Sequence, residues 1–328
     1  MFARFKSKYP TRVRRTFVLA SALFAGCSGA GSQFSLTEAS AGHASKTWQQ
    51  TQPIAAFHTD ATAGTLYASS PTADTVTEYM LPGGGVLGTL GASSGIDDVP
   101  QGMFFSKDHL YVTNGNQVLV FPAGQTMPSE ILQDSGSVSG PYVNDVVVGN
   151  DGSVYLANVF QNYSGAGVVA VFKKGQTIPS YVIRLSESEA LFSVTLDSSN
   201  NLYLAYDDLK GLGRIDEYAP GKQKGKNTGW SLKYANPGGM AFDRSGNLVI
   251  VDDTVIDVFS KGIQKPIRAF GSLKQGAFLA FNKTQTHLFV TDSGSGQIDE
   301  FDYTTGGVVK TISLADATGV AIDPPASL

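Results

Sequence analysis

Residues 237–270 read P-G-G-M-A-F-D-R-S-G-N-L-V-I-V-D-D-T-V-I-D-V-F-S-K-G-I-Q-K-P-I-R-A-F. Gly239 to Phe242 is a short apolar strand, Asp243 to Asn247 a turn, Leu248 to Val251 a second strand and Val255 to Phe259 a third. A Gly/Pro turn then leads into a fourth strand ending at Phe270. Four short strands joined by turn chemistry make one small antiparallel sheet. Such a sheet cannot bury both faces alone, and repetition solves that problem because each copy covers the next.

The second strand recurs as Leu66-Tyr67-Ala68, Leu110-Tyr111-Val112, Val154-Tyr155-Leu156, Leu202-Tyr203-Leu204, Leu248-Val249-Ile250 and Leu288-Phe289-Val290, at spacings of 44, 44, 48, 46 and 40 residues. The third strand and its turn keep step, most plainly in F-P-A-G-Q-T-M-P-S at 121–129 and F-K-K-G-Q-T-I-P-S at 172–180. First strands precede every ruler but the first, at Gly102–Phe105, Asn144–Val148, Ser193–Leu196, Gly239–Phe242 and Ala277–Phe281. The expectation is an all-β, six-bladed β-propeller of four-stranded antiparallel blades over residues 52–328. A spare first strand, Gly319 to Asp323, would close the ring with strands from both chain ends and leave no open edge there. Ile54 to Phe57 is a second candidate for the same place.

Residues 1–26 carry Arg4, Lys6, Lys8, Arg12, Arg14 and Arg15 without an acid, followed by an apolar run, Phe17 to Ala25, too short to span a bilayer. They read as a bacterial lipoprotein export signal, and Leu23-Phe24-Ala25-Gly26-Cys27 resembles a lipobox with Phe24 where an aliphatic residue is usual. Arg14-Arg15-Thr16-Phe17-Val18 also fits a twin-arginine signal, alongside the general secretion route. Cys27 is the only cysteine, so it is the expected lipidation point, and the globular part holds no disulfide, thiol nucleophile or cysteine-based zinc site. Residues 27–51, rich in Ser, Gly and Ala, read as a flexible tether. Ser28 resembles the outer-membrane sorting pattern, which places the protein outside the cytoplasm on a lipid anchor. Without the six basic residues of 1–26, 18 Lys and Arg face 28 Asp and Glu, a net charge of −10 that argues against nucleic acid.

The one helix candidate is Ser186 to Leu191. Asn158 to Gly167 lengthens one hairpin and exposes Phe160 and Tyr163, while Pro220 to Trp230 lengthens another and concentrates Lys222, Lys224 and Lys226. The Gly-Lys pairs of the latter do not match a phosphate loop, so it reads as a solvated basic hairpin.

Gly-Met-Ala-Phe-Asp-Arg-Ser-Gly-Asn-Leu at 239–248, with its weaker copies, resembles the NHL-type repeat and the six-bladed propellers of the regucalcin/gluconolactonase and strictosidine-synthase group. The resemblance implies the fold; these repeats host lactonases, lyases, synthases and pure binding modules. The lactonase branch implies a channel metal held by a Glu of the first blade, an Asn of a middle blade and the Asp of Pro-Asp-Gly-Met, with an Asn-Asp pair on substrate. Asn144-Asp145 matches that pair, whereas Thr318, Ser193 and Gly238 stand at the three ligand positions. No lactonase is therefore expected.

No Gly-x-Ser-x-Gly elbow, His-Glu-x-x-His helix or dinucleotide fingerprint is present. His43 falls in the tether, His58 near the first blade, and His109 and His287 at one repeat position, as equivalent turn residues. The ruler strands end in Asn114, Asn158, Asp207, Asp252 and Asp292. Turn chemistry is the simpler reading, since Asn and Asp bond nearby backbone. The functional reading joins them to Asn144 and Asp145 as channel-mouth oxygens for a small polar ligand or a hard cation such as calcium. The expected function is that of a lipid-anchored binding or scaffold module, a monomer with a protein or small polar ligand at one rim and no catalytic site or cofactor. The alternatives are a metal-dependent hydrolase or lyase with a divergent channel site and a purely structural surface protein.

Overall fold

The computed structural model describes residues 64–134, 143–159, 166–185 and 188–324. The export signal, tether, Cys27, His43, His58, Ile54 to Phe57, Phe160 and Tyr163 lie outside the described residues.

Six four-stranded antiparallel sheets make up the described chain. Blade one holds β1 (Thr65–Ser70), β2 (Thr75–Met80) and β3 (Val86–Leu90). Blade two runs β4 (Met103–Ser106), β5 (His109–Asn114), β6 (Gln117–Pro122) and β7 (Glu130–Gln133). Blade three is β8 (Val143–Val148), β9 (Val154–Asn158), β10 (Val168–Phe172) and β11 (Tyr181–Arg184). Blade four is β12 (Ser188–Leu196), β13 (Leu202–Asp208), β14 (Gly213–Tyr218) and the two-residue β15 (Lys226–Asn227). Blade five comprises β16 (Pro237–Phe242), β17 (Leu248–Asp252), β18 (Val255–Phe259) and β19 (Arg268–Phe270). Blade six comprises β20 (Gly276–Phe281), β21 (His287–Asp292), β22 (Gln297–Asp302) and β23 (Val308–Ser313).

The last strand, β24 (Val320–Asp323), pairs antiparallel with β1, with Leu66 opposite Ile322 and Tyr67 opposite Ala321. The C-terminal copy is thus the first strand of blade one, the role that Ile54 to Phe57 competed for in the sequence. The ruler is the second strand of every blade, and its apolar residues are buried on both faces save Tyr111, which is half-buried. One face belongs to each neighbouring blade. Tyr67 and Val76 pack with Phe105 and Leu110 across the first seam, Ile183 and Tyr155 with Leu191 and Leu204 across the third, and Phe289 and Ile298 with Leu66 and Tyr79 across the closing one. The core is a set of blade-to-blade clusters, which is why no blade buries its faces alone.

The helix expected from Ser186 does not form over the described part of that stretch: from Ser188 onward it belongs to β12, which follows β13 as far as Ser188 opposite Asp208 through two register shifts. Pairing with a long β13 overrides the local preference. The basic hairpin is solvated as expected, with Lys222, Lys224 and Lys226 exposed. Trp230 anchors it, stacking with Tyr203, lying 5.7 Å from the Phe259 ring and donating Nε1–H to Ser260 O at 3.1 Å.

Ring closure brings backbones together at the axis, and Gly319 sits at the tightest point. A Cβ there would lie 1.8 Å from Gln101 O and 2.9 Å from Ser69 Oγ. Gly319→Ala is expected to cost about 2–3 kcal/mol as an overpacking change and to broaden the thermal transition. Gly85→Ala, where a Cβ meets nothing within 4 Å, should leave both the midpoint and the width unchanged in the same melt.

Candidate functional site

The first strand of each blade lines the central channel, and its side chains fill it. Met103, Phe105, Val146, Val194, Met240, Leu279 and Val320 surround a cavity of about 100 Å³, with Asp145 the one acid in its wall. That is well below the roughly 300–1,000 Å³ of small-molecule sites.

At one mouth the strands are joined blade to blade. Ser69 Oγ accepts from Gly319 N at 2.7 Å and donates to Gln101 O at 2.8 Å, joining blade one to blade two. Gly102 N donates to Asn144 O at 2.9 Å, joining blade two to blade three. Asp145 is buried in the next seam: its Oδ2 accepts from Ser193 Oγ at 2.7 Å and Val194 N at 3.0 Å, and its Oδ1 from Val146 N at 2.8 Å. Burial lifts its pKa to about 7, with the donors at Val194, Ser193 and Val146 pulling the other way. Asn144 Nδ2 donates to Phe192 O across the same seam. Thr291 Oγ1 accepts from Phe278 N at 2.9 Å and donates to Thr318 O, joining blade six to blade one.

The three positions that carry metal ligands in the lactonase pattern are therefore part of these joints. Ser193 serves Asp145, and the Thr318 carbonyl serves Thr291. A Cβ on Gly238 would lie 2.2 Å from Ala277 O, so no acid fits there without moving the backbone of blade six.

The strand-end residues hold the loops that enter the blades. Asn114 Oδ1 accepts from Asp97 N at 3.2 Å and Asp98 N at 3.0 Å, and its amide nitrogen donates to Gly95 O. Asp252 accepts from Lys233 N at 2.7 Å and Tyr234 N at 3.1 Å. Asp292 accepts from Lys274 N and Gln275 N, both at 2.9 Å. Asp207 accepts from Asn236 N at 3.0 Å, in the loop entering blade five. Each reaches a segment well upstream or downstream, so the chemistry is that of a long-range clamp on irregular backbone. Blade one has a member the sequence reading missed: Ser70, four residues after Leu66 as Asn114 is after Leu110, donates to Ala315 O at 2.8 Å. Asn158 holds the same phase in blade three with neither side-chain polar atom bonded.

His109 and His287 open β5 and β21 in different blades and do not meet: Nδ1 of the first lies 2.8 Å from Lys107 O, that of the second 2.6 Å from Glu300 Oε1. Among the described residues no three His, Cys, Asp or Glu side chains gather as a metal site.

No family model matches the sequence. No curated protein matches it either. Solved structures do resemble it. A nidogen/laminin complex superposes with a TM-score of 0.62 at 14% identity, covering 79% of this chain and 98% of that one. A protein of unknown function from Bacteroides caccae gives 0.61 at 11% identity, covering 80% and 99%. Hydrazine synthase from Kuenenia stuttgartiensis gives 0.57 at 13%, covering 85% and 93%. At such identities the likeness carries the fold.

One clamp has an unusual neighbour. Asp252 and Asp257 lie diagonally on one face of the β17–β18 pair, and their carboxyls meet. Burial raises Asp252 to about 7, the Lys233 amide opposes the rise and the Asp257 charge adds to it; burial raises Asp257 as well. In blade six the equivalent Asp292 and Asp299 are separated by Gln297, whose Nε2 donates to both oxygens of Asp299. Blade five has Val255 at that position. An acid whose folded pKa exceeds its unfolded one binds its proton more tightly when folded, so stability falls as pH rises from about 4 to about 7. Glu78 and Asp145, both raised to about 7 by burial, add the same sign. Asp257→Asn removes the like charge from Asp252. It should raise the melting temperature at pH 8 by ~2–4 °C and flatten the fall of melting temperature between pH 4 and 7; an unchanged profile would show that the two carboxyls do not share a proton.

Proposed function

We propose that the protein is an extracytoplasmic, lipid-anchored binding or scaffold module that docks a protein partner on its outer rim. The observation that carries this reading is the channel: a small apolar cavity with its mouth consumed by blade-to-blade hydrogen bonds offers little to a substrate, which leaves the outside for recognition. The resemblance to NHL-type propellers and the nidogen/laminin likeness support a module of this kind.

The rim is uneven. Met80, Val86 and Leu87 are exposed on blade one, and Val308 and Val309 on blade six. They flank one contact, in which Lys310 Nζ donates to Pro82 O at 2.8 Å and Gly83 O at 2.7 Å. β3 and β23 are the outermost strands of their sheets, so apolar side chains and open strand edges coincide at this seam. Exposed apolar side chains beside an open strand edge are what a protein partner can pair with and cover. The Cys27 anchor rests on the short apolar run, Ala25-Gly26 before the cysteine and the lack of any other cysteine.

Cys27→Ser should release the protein from membranes into the soluble extracytoplasmic fraction, and the wild type should carry a lipid mass at its N-terminus; a variant that stays on membranes with an unlipidated wild type would sink the anchor. A photo-crosslinking residue at Leu87 should capture a single protein. Leu209, exposed on the hairpin of the opposite face, should not. Equal capture at both positions would refute the seam, and lactone turnover lost on chelation would replace the binding module with an enzyme.

A further inference from the structure

Seven buried side-chain polar atoms among the described residues have no hydrogen-bond partner, and four of them belong to one pair, both oxygens of Asp134 and both polar atoms of Asn158. The other three are single atoms of Glu78, Arg268 and Gln285. Asp134 follows β7 and is 3% exposed; Asn158 ends β9 and is fully buried. The two face each other at the seam of blades two and three, close enough for the Asn158 amide to oppose the rise that burial imposes on the Asp134 pKa, which stands at about 7.

Each buried polar group left unbonded costs about 1–3 kcal/mol, and native interiors rarely leave four together. The local backbone does not relieve the pair: Asp134 N donates to Asn116 O at 3.4 Å, Gln133 N to Thr177 O and Val143 N to Gly115 O. Asn158 is also an exception among its repeats. Asn114, Asp207, Asp252 and Asp292 spend their side-chain oxygens on entry-loop amides, whereas Asn158 is turned to a carboxylate from the neighbouring blade. Asp134 thus offers two carboxylate oxygens and Asn158 an amide oxygen, buried and without a hydrogen-bond partner.

We propose that Asp134 and Asn158 bind a hard cation, with calcium the ion their oxygens suit, as a structural link between blades two and three. Carboxylate and amide oxygens without histidine or sulfur select hard ions, and calcium tolerates irregular geometry and a bidentate carboxylate better than magnesium does. A single carboxylate places the affinity in the weak class, on the order of 10⁻⁴–10⁻³ M. This site lies at the seam between β7 and β9, away from the channel positions of Ser193, Gly238 and Thr318.

The test is thermal unfolding of the full chain in EDTA and in calcium chloride, with sodium chloride at matched ionic strength as reference. Calcium at about ten times its dissociation constant should raise the melting temperature by ~2–5 °C by mass action, and Asp134→Asn should abolish the rise. Asn158→Asp supplies a second carboxylate and should lower the calcium midpoint about tenfold, a gain that reads out even if Asp134→Asn folds poorly. No calcium response beyond the sodium reference, an equal response in Asp134→Asn, or an unchanged midpoint in Asn158→Asp would overturn the site.

Discussion

Six first strands converge on one axis, and where each chain enters its strand the backbone leaves the sheet ladder in a place that water barely reaches. Those N–H and C=O groups have to be bonded, and the fold depends on how the sequence supplies the partners. Two positions after the ruler do most of it. Three residues past its start stand Ser69, Thr113 and Thr291, whose hydroxyls bond the backbone of the first strand or the segment leading into it, and at Ser69 and Thr291 that of the next blade as well. Four past its start stand Ser70, Asn114, Asp252 and Asp292, which hold the loops entering the blades. Where the hydroxyl is replaced by Ala157, Ala205 or Val251, another device takes over. Asp145 with Ser193 closes the seam after blade three, Asp207 with Asn236 the seam after blade four, and Gly238 lets the backbone of blade five lie against Ala277.

Much of this architecture was legible because it is periodic. The ruler marks blade number and phase, and the spare first strand at the C-terminus offers the closure that the β1–β24 pairing then makes. What escaped was aperiodic or long-range. Ser188 to Leu191 has no strand alternation of its own and is drawn into the sheet by β13. Ser70 breaks the Asn/Asp pattern of the strand ends, and only its spacing from Leu66 marks it as their counterpart. Asp134 follows a fourth strand, the most variable element of the repeat, and nothing in its neighbourhood announces that Asn158 will lie against it.

The candidate site residues show why residue type alone underdetermines a propeller mouth. Asn, Asp and Ser are what a ligand site would use and also what irregular backbone needs, and the two uses are told apart by where the lone pairs go. At Asn114, Asp145, Asp252 and Asp292 they go to amides 1–49 residues away in sequence. A ligand there would have to replace hydrogen bonds that hold the blades together, so binding and ring stability would compete for the same atoms.

Blades five and six carry that logic down to a single position. Both place an aspartate at the end of the second strand and another diagonally across on the third, as Asp252 with Asp257 and Asp292 with Asp299. In blade six Gln297 donates to Asp299, Thr311 adds a hydroxyl at 2.8 Å, and Asp292 lies below its ordinary pKa because the bonds from Ser295, Lys274 and Gln275 outweigh its burial. Blade five offers Val255 and Ala269 in the same two places, and burial then lifts both of its carboxyls. The repeat thus keeps its backbone geometry while its donors vary: Asp252 and Asp292 both clamp an entry loop, and only in blade six do the donors to the clamp hold its carboxyl below the ordinary range.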